Sequence, residues 1–370
     1  MQIPFIDLKT QYLALKSNID QRIQKVLDSG AYINGPEVLE LEKKLAEYTG
    51  AKYAIACASG TDALIMPMMA LGIKPGDEVI TTAFSFVATA ETIAFLGAKP
   101  VYIDIDKDTY NLNLKELAKA ITPKTKGIIP VSLYGQPCEM DEINRLAAEK
   151  NLWVLEDAAQ SFGASYKHRK SCNLSTAAAT SFYPAKPLGC YGDGGAIFTN
   201  DETLAKAMKE IRDHGSESRY FHTRLGINGR LDTIQCTILI AKLERYDWEF
   251  TQRNRIASRF NENFASLQSK GVTIPVIKSD RQSCWAQYTL SVPDRPRLQK
   301  HLTELGIPTA VHYPRTIPDQ PWYKENTPVA AEAIPNARWA AEHVISLPLY
   351  PDMTDEIQKR ITDGVLTAYR

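Results

Sequence analysis

Three short segments of this 370-residue chain carry residue types that can do chemistry together. The first, YAIACASGTDALIMPMMALG, reads as a strand ending near Ser59 and a helix beginning around Thr61. Gly60 lets the backbone approach a ligand closely, and the free amides and positive dipole end of such a helix suit a phosphate. Taken alone, the segment also reads simply as a helix capped by Thr61 or Asp62. The second, WVLEDAAQSFGA, is a buried-looking strand that delivers Glu156 and Asp157 to its end, with Gln160 three residues on. A carboxylate there can keep the nitrogen of a heteroaromatic ring protonated, making the ring an electron sink, while the amide bonds a ring substituent. A capping Asp beside a solvated Gln is the plainer alternative. The third, TSFYPAKPLGCYGDGGAIFTND, sets Lys186 between Pro184 and Pro187, ahead of Gly189, Gly192, Gly194 and Gly195. A lone lysine is usually a solvated surface charge, but this apolar, rigid setting suits a desolvated amine that condenses with a carbonyl. The glycines lead into a strand, AIFT, rather than opening a helix, so they are not a dinucleotide fingerprint. Ser181 is a further phosphate donor.

These segments need a scaffold that brings them together. From about residue 77 to 160 the chain alternates β-branched apolar runs with helical patterns: DEVITT, VATAETIAFLG, PVYIDID, LKELAKAIT, GIIPVSLYG, MDEINRLAAEK and WVLEDA. Short strands buried on both faces and separated by amphipathic helices indicate βαβ units in a parallel sheet, so the fold class is α/β. Ligands gather beyond the carboxyl ends of such strands, where each of the three segments falls. Residues 11–29 and 36–48 read as two amphipathic helices separated by the Asn34-Gly35-Pro36 break, the second with Leu39, Leu41 and Leu45 among charges. A helix-like stretch from Leu231 to about Phe250 leads into a region richer in proline after Ile274. The expected division is a large domain over residues 1–250, including the N-terminal helices, and a smaller C-terminal domain over residues 251–370.

Composition narrows the function classes. The 43 basic and 43 acidic residues cancel, and no long run of one sign appears, which argues against a nucleic-acid or membrane-surface binder. Six cysteines (Cys57, Cys138, Cys172, Cys190, Cys236 and Cys284) show neither CxxC pairing nor zinc spacing, as expected for reduced, buried thiols. His168, His214, His222, His301 and His343 share no metal-ligand pattern, and no metal is expected. Asp7 and Lys9 interrupt the N-terminus before a signal-peptide core can form, and no apolar run is long enough to span a bilayer, so a cytoplasmic location is expected.

The order phosphate turn, strand-end carboxylate, lysine resembles the fold-type I pyridoxal-phosphate enzymes, and specifically the DegT/DnrJ/EryC1/StrS family of sugar aminotransferases. The resemblance covers nearly the whole chain, through IDLKTQY, GPEVLELE, SGTDAL, PGDEVITTAFSFVATAETI, PVYIDID, EDAAQSFGA and the late VHYP. It implies a large domain with a mixed, mostly parallel sheet, a smaller C-terminal α+β domain, and pyridoxal 5'-phosphate as cofactor. By this resemblance Lys186 attaches the cofactor and moves protons, Asp157 pairs with the ring nitrogen and Gln160 meets the ring hydroxyl. Gly60, Thr61 and Ser181 hold the phosphate, and Phe86 in AFSFVAT stacks on the ring. Asn228, in GINGRLD, resembles the family asparagine that reaches the phosphate from the other subunit, which implies a homodimer with shared active sites.

Two departures from the family pattern stand out. Many members have histidine where this chain has Tyr183, and many continue after the lysine with a threonine-rich turn and GEGG rather than PLGCYGDGG. This version, with the stretches Ile128 to Gln136 and Cys172 to Thr176, resembles the branch that aminates UDP-2-acetamido-2-deoxy-3-oxo-glucuronate. The implied reaction moves an amino group from L-glutamate to that 3-ketone, for bacterial surface polysaccharide such as O-antigen. The same chemistry on a 4-keto-6-deoxy sugar nucleotide, or a cofactor-holding regulatory protein without turnover, are the alternatives. A dehydratase branch carries histidine in place of the lysine, and Lys186 argues against it. Arg230, whose planar fork suits a carboxylate or phosphate, and His312 with Tyr313 in AVHYP are candidates for gripping the substrate. The plainer alternatives are a structural ion pair for Arg230 and a satisfied histidine at a domain junction for His312.

Overall fold

The computed structural model describes residues 3–370. Two helices, α1 (Leu8–Ser29) and α2 (Pro36–Thr49), precede the sheet. Asp7 caps α1 by accepting the Thr10 N–H at 2.9 Å, and Pro36 opens α2, where its fixed φ suits the first helical position. Then β1 (Tyr53–Cys57), α3 (Gly60–Ala70), β2 (Glu78–Thr82), α4 (Ala88–Phe95), β3 (Lys99–Ile103), α5 (Leu114–Ala120), β4 (Thr125–Ile129), α6 (Met140–Glu149) and β5 (Trp153–Asp157) alternate as the periodicity predicts. A short hairpin, β6 (Ser165–Tyr166) and β7 (Arg169–Lys170), leads to β8 (Ala177–Ser181) and β9 (Gly195–Thr199). The seven-stranded sheet runs β1-β9-β8-β5-β4-β2-β3. Only β9 is antiparallel to its neighbours, so the other six strands point their carboxyl ends to one edge.

Side chains alternate across that sheet. Ala54 and Ala56 of β1 pack with Leu41 and Leu45 of α2 on one face, while Ile55 and Cys57 pack with Leu64 and Met66 of α3 on the other. Leu39 of α2 faces outward and is 69% exposed, so the stripe expected from three leucines contains two. After β9 come α7 (Glu202–Arg212), a hairpin of β10 (Ser216–Ser218) and β11 (Phe221–His222), α8 (Thr233–Leu243) and α9 (Tyr246–Phe264). The single stretch expected from Leu231 to Phe250 is therefore two helices. The break comes at Glu244–Arg245, just before Tyr246 enters the sheet-side core and donates its hydroxyl to Phe162 O at 2.6 Å.

The C-terminal part contains β12 (Arg281–Gln282), β13 (Tyr288–Ser291), α10 (Arg295–Glu304), α11 (Pro321–Asn326), α12 (Pro335–His343), β14 (Val344–Leu347) and α13 (Asp355–Thr367). Its own core joins Phe260 and Phe264 of α9, Tyr288 and Leu290 of β13, and Ile361 and Val365 of α13, with Ile3 from the N-terminus packed among them. Residue 250, the expected domain division, lies inside α9, which gives Tyr246 to one core and Ile256 to Phe264 to the other. The six cysteines are free and buried. Among the described residues no helix is long and apolar enough to cross a membrane.

Candidate active site

A cavity of about 560 Å³ opens beyond the carboxyl edge of the sheet, within the range of small-molecule and cofactor sites. It gathers Gly60 and Thr61 after β1, Phe86 and Thr89 after β2, Asp157 at the end of β5 with Gln160 after it, Ser181 at the end of β8, and Lys186. His312 and Tyr313 complete it from the C-terminal part.

The turn after β1 forms because β1 ends at Cys57 and Ser59 caps α3, its hydroxyl accepting the Asp62 N–H at 3.0 Å. The cap is thus Ser59, and neither Thr61 nor Asp62. The amides of Gly60 and Thr61 occupy the first turn, where no helical carbonyl is available to them. A Cβ on Gly60 would stand 2.6 Å from the Ser181 Cβ, so glycine is what allows the helix start to press against the end of β8.

Asp157 is 4% exposed. Thr89 donates its hydroxyl to Oδ2 at 2.7 Å and the Ala159 N–H donates to Oδ1 at 3.2 Å. Burial pushes its carboxyl pKa up, against the pull of the Thr89 hydroxyl, the Ala159 amide and the Lys186 charge. Next to it, Glu156 turns the opposite way and accepts from Ser132, Ser171 and the Cys172 N–H at 2.7–3.0 Å, so this carboxylate ties loops beneath the site. Gln160 is oriented by one contact: the backbone N–H of Tyr134 donates to its Oε1 at 2.9 Å. Its Nε2 is thereby turned toward the Tyr313 hydroxyl at 3.1 Å, offering a donor to a ring oxygen. Lys186 is partly accessible through the cavity but closely surrounded, and burial lowers its pKa while Asp157 opposes the shift. A neutral amine is the nucleophilic form.

His312 Nδ1 meets the Ser346 hydroxyl at 2.9 Å, and its carbonyl accepts from the Tyr134 hydroxyl. Burial, helped by the Lys186 charge, pushes its imidazole down to about 4. Phe86 is 54% exposed at the cavity wall, its ring 6.1 Å from that of Tyr313.

Asn228 and Arg230 do not line this cavity in their own chain. Asn228 bridges to Asp213, and Arg230 forms an ion pair with the Asp213 carboxylate. Between them, the Gly229 carbonyl accepts the Ala58 N–H at 2.9 Å and so braces the turn after β1 from behind. Sequence reasoning missed Thr89, Tyr134 and the cavity wall formed by Phe5 and Ile6. Thr89 opens the helix that follows Phe86, but nothing local links it to a carboxylate 68 residues away.

The arrangement suits pyridoxal phosphate. It combines an open helix N-terminus with a hydroxyl beside it, a sealed carboxylate, an amide donor and a desolvated lysine around one cavity of matching size.

The sequence model of the DegT/DnrJ/EryC1/StrS aminotransferase family matches residues 14–366. A Pseudomonas aeruginosa protein, UDP-2-acetamido-2-deoxy-3-oxo-D-glucuronate aminotransferase, is 54% identical over 94% of this chain and 95% of its own. DesV of S. venezuelae superposes with a TM-score of 0.97 at 37% identity, over 100% of this chain and 99% of that one. NtdA of Bacillus subtilis, solved with bound cofactor PMP, gives a TM-score of 0.91 at 31% identity, over 99% of this chain and 85% of that one.

Proposed function

Because this chain belongs to the DegT/DnrJ/EryC1/StrS aminotransferase family, we propose that it moves an amino group from L-glutamate to the 3-keto group of UDP-2-acetamido-2-deoxy-3-oxo-D-glucuronate. It is a pyridoxal-phosphate-dependent sugar aminotransferase. The identity of 54% to a relative with that named activity carries the choice of sugar. In this reading the 3-amino product feeds bacterial surface polysaccharide such as O-antigen, and the enzyme works in the cytoplasm.

Bound pyridoxal phosphate supplies an aldehyde that takes up an amino group and a ring that draws electrons from the adjacent carbon. The residues around it have distinct tasks. Gly60 and Thr61 offer amides, and Ser181 a hydroxyl, to the phosphate. Asp157 holds the proton on the ring nitrogen, a cationic partner that favours its charged form despite burial. Gln160 would donate to the ring oxygen, and Phe86, at the cavity wall, would cover the ring face. Lys186 would hold the cofactor through its amine, and when free that amine would serve as the base and acid for the proton transfers.

The sugar approaches from the side of His312 and Tyr313. We assign Asn228 and Arg230 to the site of a second copy of this chain. Both follow the β10–β11 hairpin, where Tyr220, Phe221 and Leu225 present exposed apolar surface for such a partner. Arg230 then meets the uronate carboxylate, exchanging Asp213 for the substrate.

Mass spectrometry of the products from a panel of keto-sugar nucleotides tests the proposal. Amination at C3 of the uronate is expected, and preferred amination of a 4-keto-6-deoxy sugar would overturn the assignment. With Arg230→Ala the uronate should weaken by roughly 2–5 kcal/mol, the scale for truncating a buried charge pair, and an analogue lacking the carboxylate much less.

A further inference from the structure

Lys242 of α8 is 1% exposed, and an ammonium buried without a counter-charge is costly. Its Nζ donates to Gly189 O at 2.6 Å and stands 4.4 Å from the centre of the Tyr191 ring. No carboxylate pairs with it among the described residues. Glu249, whose charge reaches it, accepts from Gln11 at 2.9 and 3.0 Å and pairs with Arg245 at 3.5 Å. Burial accordingly brings the Lys242 pKa down to about 8.

Both partners of Lys242 lie on the return limb of the loop that carries Lys186. That loop closes on itself after β8. The Phe182 N–H donates to Gly194 O at 2.7 Å, the Cys190 N–H to Phe182 O at 2.8 Å, and the Lys186 N–H to Tyr183 O at 2.8 Å. At Gly189 the two limbs pass so closely that a Cβ would stand 2.5 Å from Pro184 O. Gln235, two turns earlier on α8, accepts the Tyr191 N–H at 2.8 Å and donates to Tyr191 O at 3.2 Å. Helix α8 therefore grips the return limb at two points, and Lys242 supplies the buried one.

We propose that Lys242 is a positioning residue for Lys186: through the Gly189 carbonyl and the Tyr191 ring it fixes the closed loop so that the reactive amine reaches one defined place in the cavity. A hydrocarbon at 242 would fill similar space and avoid burying a charge, so the role of the ammonium is to set the loop's position rather than to add net stability.

The test compares Lys242→Met with the unmodified enzyme in three measurements: thermal midpoint, the rate at which visible absorbance develops when pyridoxal phosphate is added to the cofactor-free protein, and steady-state kinetics. The midpoint should be unchanged or higher. Attachment should slow, and kcat should fall on the order of tenfold with both KM values within about threefold, the signature of a misplaced reactive group. Unchanged attachment and kcat in folded Lys242→Met protein would overturn the proposal. Should that variant not fold, Lys242→Leu, which also removes the bond to the Gly189 carbonyl and the contact with the Tyr191 ring, carries the same test. The same slowing of attachment and fall in kcat are expected there, and kinetics identical to the unmodified enzyme would overturn the proposal equally.

Discussion

Asp157 shows how much a single hydroxyl can matter to a buried carboxyl. Its carboxyl is pushed toward the neutral form by burial, and the Thr89 hydroxyl is the largest of the groups opposing that push. Thr89→Val keeps the shape and removes the donor. Less of the carboxylate will then be ionised to hold a proton on the ring nitrogen. We expect kcat to fall roughly tenfold, about 1.4 kcal/mol, with little change in KM. The pH at which the bound cofactor's absorbance changes should move in the same variant, and an unmoved spectrum with unchanged kcat would remove Thr89 from the site.

His312 makes a prediction of a different kind. Its pKa is pushed by burial to about 4 in the folded protein, against an ordinary 6.5. As pH falls below 6.5 the unfolded chain takes up a proton that the folded one refuses until about 4. The contribution of this group to stability is therefore full above 6.5 and is lost across that window, with a slope of up to about 1.4 kcal/mol per pH unit. Buried carboxyls titrate nearby with the opposite sign, so the comparison must be with His312→Asn. Between pH 6.5 and 4 the thermal midpoint of that variant should fall less steeply than that of the unmodified protein, and parallel curves would contradict the shift.

Among the elements, the start of α3 and the end of β8 have to touch for the phosphate site to exist. Gly60→Ala puts a methyl 2.6 Å from the Ser181 Cβ, an overpacking that should cost about 1–3 kcal/mol of stability. The helix start must then move away from Ser181. Affinity for pyridoxal phosphate should drop while affinity for pyridoxal, which lacks the phosphate, stays nearly constant. Equal losses for both ligands, read by absorbance titration, would mean that the phosphate binds elsewhere. Helix α9 illustrates the reverse relation between element and site: it makes no cavity contact, yet joins the sheet-side core to the C-terminal core, whose strand β14 holds His312 through Ser346.

For the molecule as a whole, if Asn228 serves a neighbour's site as proposed, the isologous dimer is the smallest active unit. Lys186→Ala and Asn228→Ala proteins should each be inactive alone. Mixed under conditions that allow subunit exchange, they should recover partial activity, because one of the two sites in a hybrid has both residues intact. Proven exchange without recovery would return Asn228 to a role within its own chain, where it bridges to Asp213.

The α/β class, the order of β1 to β5 and their helices, and the three segments around Gly60, Asp157 and Lys186 were legible in the residues themselves. Alternating burial, helix caps and glycine or proline breaks are local properties, written within a few residues of where they act. Even so, local reading merged α8 with α9, because the break at Glu244–Arg245 has no glycine or proline and coincides with the burial of Tyr246 against Phe162. What only the tertiary structure decided is which distant group completes each functional residue. Thr89 reaches Asp157 across 68 residues, Tyr313 reaches Gln160 across 153, and Lys242 reaches the Lys186 loop across 53. The first depends on the parallel sheet bringing separate strand ends side by side, the second on the C-terminal part folding over that edge and the third on α8 packing against the loop after β8, and none leaves a trace in local sequence spacing.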